Sequence, residues 1–364
     1  MENIKRTCLY KKHVELNAKI EDFAGFLMPI VYDSIKNEHN AVREHVGMFD
    51  VSHMGEFLIK GKEATAFVDY VFCNEILSKK SGSVTYGMML YENGTIVDDL
   101  LVYKMNDEEY FFVVNASNIS KDYDWVVSQT EGFDVTVENL SDDYSEIAIQ
   151  GPNAENKVKE LLGIDLNNLE FFHFKHYEYE RYNLLISRTG YTGEDGFEIY
   201  ANDAAILKLW DIFIEGNVTP CGLGSRDTLR FEAALPLYGH EISDKITPLE
   251  AGLKFFTKIK LKSNFIGKDS LLKQEETGLT RRLVGIELKK RAIPRAGYEI
   301  YFNGSLVGVV TTGYLSISLD KPIAMALINR PYTKKDTEIE IKIRNKMIPG
   351  FVRDKKFLTK NYKK

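Results

Sequence analysis

The sequence predicts an α+β protein of more than one domain, in which a large mixed region precedes a small all-β region. Up to about residue 270, short strand-like segments occur together with segments of helical apolar spacing. After about residue 275, five or six short strand-like segments follow one another, with glycines at the turns, which is typical of a small barrel or sandwich. The length of 364 residues agrees with two or three domains, at roughly 150 residues per domain.

The elements of the mixed region follow from local patterns. A short apolar stretch at 56–60 ends at Gly61 and predicts a strand, whereas 62–72 has apolar residues at helical spacing. A polar turn separates 97–104 from 110–115, which predicts a β-hairpin. Further strands are predicted at 146–150, 182–188 and 197–200, and further helices at 117–128, from Gly151-Pro152 to Leu162, at 204–214 and at 226–235.

The all-β region shows the clearest period of two. Ile339, Ile341 and Ile343 alternate with Glu340 and Lys342, as on a strand with one buried face. The segment 260–280 is the predicted boundary, so we expect one region over 1–270 and a second over 275–364. The strands predicted in the second region are 282–289, 298–302, 306–312, 323–328 and 338–344.

Composition excludes several classes of protein. Hydrophobic residues make up 44% and charged residues 27%, which is ordinary for a globular chain, and no window approaches 18 consecutive apolar residues. The first residues lack the apolar core of a secretory signal. Three distant cysteines, Cys8, Cys73 and Cys221, suggest neither a disulfide framework nor a metal knuckle. We therefore expect a cytoplasmic protein with no membrane partner.

Charge is unevenly distributed along the chain. Residues 321–364 contain 13 Lys or Arg against 4 Asp or Glu, so this end carries +9 while the whole chain carries −6. The basic end is either a solvated surface or a region that attracts an anionic partner or a polyanionic ligand. The overall acidity gives no indication of a nucleic-acid partner.

Several motifs of cofactor chemistry are absent from the sequence. Gly222-x-Gly224 lacks the third glycine of a dinucleotide loop, and there is no GxxxxGK[ST], GxSxG or HExxH. His173-x-x-His176 lies in an aromatic, strand-like stretch, where residues three apart face opposite sides. A surface strand explains this pair better than a metal site, so we expect neither a nucleotide nor a metal.

Adjacent carboxylates open the apolar strand predicted from residue 97. Asp98 and Asp99 point to opposite faces of a strand, so one can face solvent while the other enters an interior pocket. A carboxylate between apolar walls can accept a hydrogen bond from a ligand N–H or offset a developing positive charge. The competing interpretation is a turn at which both acids are solvated.

The segment 188–200 contains three glycines within seven residues, flanked by Tyr191 and Glu198. Glycines let a planar ligand approach the backbone, a tyrosine can stack on it, and a glutamate can accept from an amino-heterocycle. An ordinary glycine-rich hairpin is the alternative.

The segment 222–232 predicts a helix start with Ser225 as a candidate N-cap. Arg226 and Arg230 lie one turn apart, which is unfavourable without an anionic neighbour. That neighbour is either a ligand carboxylate, which arginine binds with a bidentate fork, or an acid of the same helix. Taken together, the three segments indicate an anionic, nitrogen-rich, planar ligand.

These segments and others resemble the glycine cleavage T-protein family, the tetrahydrofolate-dependent aminomethyltransferases, over nearly the whole chain. The matching strings, written with their first residues, are DFAGFxMP from Asp22, MFDVSHMGE from Met48, VDDL from Val97, IQGP from Ile149, GYTGEDG from Gly190, GLGSRD from Gly222, LYGHE from Leu237, PLEAGL from Pro248 and FIGK from Phe265.

The resemblance implies a fold, a reaction and a partner. It implies a folate-binding region of two interleaved α+β subdomains over 1–270 and a small C-terminal β-barrel over 275–364. It implies that the lipoylated H-protein presents an aminomethyl group on sulfur, and that the methylene passes to N5 of tetrahydrofolate, a co-substrate. Ammonia, 5,10-methylenetetrahydrofolate and the dihydrolipoyl H-protein are the products. The basic C-terminal region would then steer an acidic H-protein or a folate polyglutamate tail.

The resemblance also implies which residues line the folate site. Asp99, chosen over Asp98, would orient the reacting N5 and stabilise cationic character at the transferred carbon, with general-base action as a second possibility. Arg226 would hold a ligand carboxylate or ring edge, and Tyr362 is the candidate for the C-terminal contact. The remaining predicted folate contacts are Met54, Tyr86, Asn115, Tyr191 and Glu198.

Two related functions remain as alternatives. A folate-linked demethylase of methylated glycines belongs to the same superfamily, but such domains are usually fused to a flavin oxidase, which this chain lacks. A non-catalytic folate-binding protein of the iron–sulfur maintenance branch would contain a Lys-Gly-Cys-Tyr-x-Gly-Gln motif. The surroundings of Cys8, Cys73 and Cys221 do not contain that motif.

Overall fold

The computed structural model describes residues 4–363, over which the chain forms eight α-helices and 19 strands. The helices are α1 (Tyr10–Glu15), α2 (Ile35–Glu44), α3 (Ala64–Val71), α4 (Ile119–Ser128), α5 (Ala154–Leu162), α6 (Asp203–Glu215), α7 (Leu223–Glu232) and α8 (Lys268–Thr277). None of the described helices is long and apolar enough to cross a membrane. The cytoplasmic location stays a prediction.

Strands β1 to β13 belong to the mixed region and β14 to β19 to the all-β region. The first set is β1 (Lys19–Phe23), β2 (Phe26–Val31), β3 (Gly47–Asp50), β4 (Gly55–Lys60), β5 (Val84–Leu90), β6 (Ile96–Asn106), β7 (Glu109–Val114), β8 (Thr136–Asn139), β9 (Ser145–Gln150), β10 (Phe174–Tyr179), β11 (Tyr182–Ser187), β12 (Gly196–Ala201) and β13 (Thr219–Pro220). The second set is β14 (Arg281–Leu288), β15 (Glu299–Phe302), β16 (Ser305–Leu315), β17 (Pro322–Asn329), β18 (Glu338–Ile343) and β19 (Lys346–Arg353).

Two sheets of the mixed region share a hydrophobic core. A five-stranded sheet has the order β5-β6-β7-β4-β8, a six-stranded sheet has the order β10-β11-β12-β9-β3-β13, and β1 and β2 form a separate hairpin. Buried apolar side chains from both sheets pack together, including Tyr103 and Phe111 from the first, and Leu185 and Tyr200 from the second. The faces of the sheets that meet here carry the polar residues of the site described below.

The all-β region closes into a barrel, with the strand order β14-β17-β16-β15-β18-β19 and with β19 paired back to β14. This confirms the predicted α+β fold with a small C-terminal barrel and excludes the sandwich. One buried cluster nevertheless joins Met88 and Phe231 of the mixed region to Leu283 and Met325 of the barrel. This core crosses from one region to the other and so does not mark a boundary between them. The bounds 1–270 and 275–364 therefore stay a prediction.

Most predicted elements are confirmed within a few residues, including the hairpin of β6 and β7. No sequence pattern predicted the helices α1 and α2, the strands β3, β5, β8, β13 and β19, or the hairpin of β1 and β2, and the segment that forms α8 was treated as part of a boundary. The prediction that Ser225 is the N-cap of α7 was wrong. The N-cap is Gly222, and the Ser225 hydroxyl lies inside the helix, where it donates to Glu38 Oε2 at 3.0 Å.

Gly222 lets the start of α7 approach the backbone of β2. A Cβ at this position would lie 2.3 Å from both the carbonyl carbon and the oxygen of Ile30, which are backbone atoms that cannot rotate away. We expect Gly222→Ala to lower the free energy of unfolding by about 3 kcal/mol, measured by urea denaturation. Gly224→Ala is the matched control, because its Cβ would meet the flexible end of Ile35 at 2.9 Å and the Ile30 carbonyl oxygen only at 3.0 Å, so a smaller shift relieves the contacts. Equal stability losses in the two variants would contradict this account.

Candidate active site

A cavity of about 530 Å³ lies where the two sheets, the start of α7, the 3-10 turn Lys254–Phe256 and the C-terminal tail meet. Its walls include side chains from β5, β6 and β7 on one side and from β9 and β12 on the other. The structure brings all the residues of the predicted folate site to this one cavity: Met54, Tyr86, Asp99, Asn115, Tyr191, Glu198, Arg226 and Tyr362. Their individual roles stay predictions.

Asp99 is fixed by two neighbours on the wall formed by β5, β6 and β7. The Tyr86 hydroxyl donates to Asp99 Oδ2 at 2.9 Å, and Asn115 Nδ2 donates to Asp99 Oδ1 at 2.8 Å. Asp99 pairs with Met88 in the ladder of β5 and β6, which puts its side chain on the same face as Tyr86. These contacts hold the carboxylate against the cavity in one orientation.

Asp98 points to the opposite face of the sheet and is fully buried there. Its carboxylate accepts from the backbone N–H of Asn115 at 3.0 Å and from Asn118 Nδ2 at 2.7 Å. Neither acid is therefore the solvated member of the pair that the sequence analysis considered, because the second face packs against α4 rather than meeting water. Burial, with the negative charge of Asp122 as a further cause, raises the pKa of Asp98 well above its ordinary value.

The Asp99 carboxyl is placed near the midpoint of its titration at neutral pH. Burial raises the pKa of Asp99 to about 7, and the charge of Asp98 adds to this increase. The hydrogen bonds from Tyr86 and Asn115 oppose it, because they stabilise the ionised form. A carboxyl with such a pKa can hold or release a proton under physiological conditions, which is the property expected of a group that takes part in chemistry.

Glu198 lies on the opposite wall, at the end of a chain of hydroxyl groups. The Thr189 hydroxyl donates to Glu198 Oε2 and is in turn 2.5 Å from the Ser187 hydroxyl. The Tyr103 hydroxyl connects Ser187 to Tyr200, with both distances at 3.0 Å. This chain fixes the Glu198 carboxyl, and burial raises its pKa above the ordinary value.

Glu146 is a buried acid of the cavity wall that the sequence analysis missed. It pairs with Tyr200 across β9 and β12, so it shares a sheet face with Glu198. Its Oε2 has no hydrogen-bond partner among the described residues, and burial raises its pKa well above the ordinary value. A glutamate within the otherwise apolar predicted strand was the available signal, but only the register of the sheet shows that it faces the site.

Arg226 and Arg230 have different partners although they lie one turn apart on α7. The Arg230 guanidinium is fully buried and donates to Asp227 Oδ1 at 2.7 Å and to Glu241 Oε2 at 2.6 Å. The Arg226 guanidinium makes no ion pair among residues 4–363 and stacks over the Tyr191 ring at 4.6 Å from its centroid. Asp227 and Glu241 therefore pair with Arg230. The Arg226 guanidinium instead faces the cavity, where its N–H groups can bind a ligand.

The C-terminal tail closes one side of the cavity. The Asn361 backbone N–H donates to the Gly193 carbonyl at 2.9 Å, and Asn361 Nδ2 donates to Glu194 Oε2 at 3.1 Å. These bonds attach the tail to the glycine-rich loop and place the Tyr362 ring on Phe171, with 4.5 Å between centroids. The tail thus forms a wall of the cavity. Because it is far along the chain from the loop that it contacts, local sequence patterns do not predict this wall.

The remaining walls are largely apolar, with a few cations near the rim. Leu100, Val113, Phe172, Leu253 and Phe256 line the cavity together with Met54. No sequence pattern indicated the rim residues Lys79, Lys258, Lys360, Phe171 and Phe255, because nothing in a single segment shows which loops converge on the cavity.

Neither His173 nor His176 lines this cavity. His176 is an exposed residue of the sheet-edge strand β10, as predicted for a surface strand. Among the residues that the structure describes, no group of three or more His, Cys, Asp or Glu side chains has the arrangement of a metal site.

Comparisons with known proteins agree along the whole chain. A family described as the GCVT N-terminal domain matches residues 9–261, and one described as the glycine cleavage T-protein C-terminal barrel domain matches residues 281–358. The aminomethyltransferases of Alkaliphilus metalliredigens and of Clostridium botulinum (strain Kyoto) are 49% and 45% identical, each with full coverage of both chains. The crystal structure of the glycine cleavage system aminomethyltransferase T from Bartonella henselae superposes with a TM-score of 0.93 at 32% identity, covering 99% of this chain and 100% of that one.

Proposed function

The chain belongs to the glycine cleavage T-protein family and is an aminomethyltransferase, and from this we propose that its central cavity binds tetrahydrofolate beside Asp99. The co-substrate accepts the methylene group of an S-aminomethyldihydrolipoyl arm carried by the H-protein. In the net reaction the carbon–sulfur and carbon–nitrogen bonds of the aminomethyl group break, and bonds from that carbon to N5 and N10 form. The two protons lost from N5 and N10 appear on the thiol and on ammonia, so no electrons are exchanged.

The chemistry of the cavity supports a reduced pterin as its occupant. A pterin is planar, with N–H donors along one edge, and its glutamate tail is anionic. Glu198 and Glu146 Oε2, which has no hydrogen-bond partner within residues 4–363, offer polar groups for that edge, and Arg226 offers a fork for a carboxylate or a ring edge. The apolar walls around Met54 and Phe256 match the flat faces of the ring, as in most small-molecule sites.

Asp99 carries the proposed mechanism. Its ionised carboxylate lies where positive charge develops on the transferred carbon, and a fixed charge in an enclosed cavity stabilises that charge more strongly than water does. Tyr86 and Asn115 occupy one lone pair of each oxygen, which leaves the carboxylate directed at the substrate. Because the pKa of Asp99 is near 7, the same group can also accept a proton from N5.

Coupled turnover tests the proposed function directly. We expect the purified chain, with aminomethylated H-protein and tetrahydrofolate, to release one ammonia for each methylenetetrahydrofolate formed. Methylated glycines should yield no product, which separates this activity from that of a folate-linked demethylase. Tight folate binding without ammonia release would instead identify a non-catalytic folate-binding protein and refute the proposal.

The pH dependence of kcat follows from the pKa of Asp99. Protonation removes the negative charge that the mechanism needs, so we expect kcat to fall about tenfold for each pH unit below about 7 and to level off above about 8. Rates at saturating substrates between pH 5.5 and 9 measure this. A flat profile through pH 7 would show that the ionised carboxylate is not required.

A further inference from the structure

We propose that the H-protein, as an acidic carrier domain, docks on an exposed apolar and basic surface at the mouth of the cavity. We call this the docking surface and define it as Leu77, Phe255, Leu261, Lys79, Lys258 and Lys260. This inference rests on the proposed function and adds to it the side from which the carrier presents its arm.

The apolar part of the surface is conspicuous because it faces solvent. Phe255 is 76% exposed, Leu261 75% and Leu77 62%, and these are the most exposed large hydrophobic side chains among residues 4–363. Single exposed apolar residues are common, whereas a group of neighbouring exposed apolar side chains is typical of an interface. A few buried anchors provide most of the binding energy in protein–protein contacts, and aromatic side chains such as that of Phe255 are enriched at interfaces.

The two loops that carry these residues are joined to each other. The Lys258 backbone N–H donates to the Cys73 carbonyl at 3.0 Å, and the buried Lys262 ammonium donates to the Phe72 and Asn74 carbonyls at 3.0 and 3.1 Å. Lys262 also pairs with Asp69. The segment 72–74, which Leu77 closely follows, and the segment 258–262 are therefore held side by side.

This surface continues into the cavity. Phe255, Lys258 and Lys79 line the cavity, and the neighbouring Phe256 packs edge-on against Tyr86 at 4.9 Å between centroids. Tyr86 in turn donates to Asp99. A carrier seated on the docking surface could therefore insert its arm past Phe255 toward the proposed reaction centre.

Charge complementarity identifies the partner as acidic. Residues 253–264 contain four lysines and no acid, in a chain whose net charge is −6. Among residues 4–363, the ammonium groups of Lys79, Lys258 and Lys260 have no ion pair, and Lys258 lies over the Phe255 ring at 4.2 Å. The nearby Glu75 is bonded to Ser78 and does not neutralise all three. Such a cluster favours encounter with an acidic surface.

The basic C-terminal region is a weaker candidate for the same role. Lys321 and Arg353 both pair with Glu287, Lys342 pairs with Glu299, and Lys363 pairs with Glu155. These three glutamates, all from outside residues 321–364, compensate about a third of the +9 excess of that region. The docking surface has fewer lysines, but they have no ion pair among residues 4–363 and adjoin exposed apolar groups.

The double variant Leu77→Ser/Leu261→Ser tests the proposal, since neither leucine lines the cavity. We expect the KM for lipoylated H-protein to rise at least about tenfold, while kcat, the KM for tetrahydrofolate and the reverse reaction with free dihydrolipoamide stay unchanged. Leu306→Ser is the matched control, because that leucine is 57% exposed on β16 of the barrel. Lys260→Glu should also raise the KM for H-protein and reduce its dependence on salt.

The outcomes separate this proposal from the proposed function. An unchanged KM for H-protein in both the double leucine variant and Lys260→Glu, with an active wild type, would overturn the docking surface alone. A wild type that converts neither the H-protein nor free dihydrolipoamide would refute the proposed function instead. An equal rise in the KM for H-protein in Leu306→Ser would also overturn the docking surface, because the effect would then not be specific to that surface.

Discussion

Asp99→Asn is expected to lower kcat by about 10²- to 10³-fold, because it removes the only charge that Asp99 contributes while keeping its size. Folate affinity should change little, since the amide oxygen can still accept from Asn115 and the amide nitrogen can donate to the Tyr86 hydroxyl, which is an acceptor as well as a donor. Single-turnover rates measure the loss, and calorimetric titration with tetrahydrofolate measures the binding. Normal turnover in a folded Asp99→Asn variant would refute the role of this carboxylate.

Asp98→Asn is the matched control for that experiment. Asp98 precedes Asp99 in the chain but faces α4, where its oxygens accept from Asn115 and Asn118. In the variant, the side-chain NH2 group of the asparagine would face one of these N–H donors. We therefore expect a loss of about 1–3 kcal/mol in the free energy of unfolding. The decrease in kcat should be less than about tenfold. A larger loss of kcat in Asp98→Asn than in Asp99→Asn would reverse the assignment.

Arg226→Ala is expected to weaken folate binding by about 10- to 100-fold, which corresponds to the loss of a charge-assisted hydrogen bond of about 1.5–3 kcal/mol. The guanidinium stacks on Tyr191 and has no ion pair to lose among the described residues. Its removal should therefore lower the free energy of unfolding by only about 1 kcal/mol. Calorimetry and urea denaturation measure the two effects separately.

Arg230→Ala is the control one turn away. Removing the Arg230 guanidinium leaves the buried Glu241 carboxylate without its partner, and breaking such a pair typically costs about 3–5 kcal/mol of stability. We thus expect Arg226→Ala to be mainly a binding defect and Arg230→Ala mainly a folding defect. Unchanged folate affinity in Arg226→Ala would show that Arg226 is a structural residue of α7.

The sequence predicted the architecture well where local patterns determine it. The alternation of Ile339, Ile341 and Ile343 identified β18, and the polar turn after residue 104 identified the hairpin of β6 and β7. The hairpin of β1 and β2 was missed because Pro29 interrupts its apolar pattern, and a proline usually argues against a strand. β5 was missed because its Tyr-Gly-Met-Met sequence has no alternation of apolar and polar residues.

The candidate site was predicted mainly through family resemblance rather than through local chemistry. Residue patterns alone left Asp98 and Asp99 equivalent, and the register of β6 against β5 shows which of them faces the cavity. The position of Glu146 in the cavity wall depends on the pairing of β9 with β12. The position of the tail around Tyr362 depends on contacts with the loop at Gly193. These relations join residues far apart in the chain, so no local pattern contains them.

A crystal structure of the chain soaked with tetrahydrofolate or its stable 5-methyl derivative would test the central claim most directly. We expect the pterin to lie in the 530 Å³ cavity with N5 facing the Asp99 carboxylate and the amino-pyrimidine edge toward Glu198. The glutamate tail should leave the cavity within reach of a cation such as Arg226. A pterin bound elsewhere, or a cavity that stays empty at saturating ligand, would contradict the account.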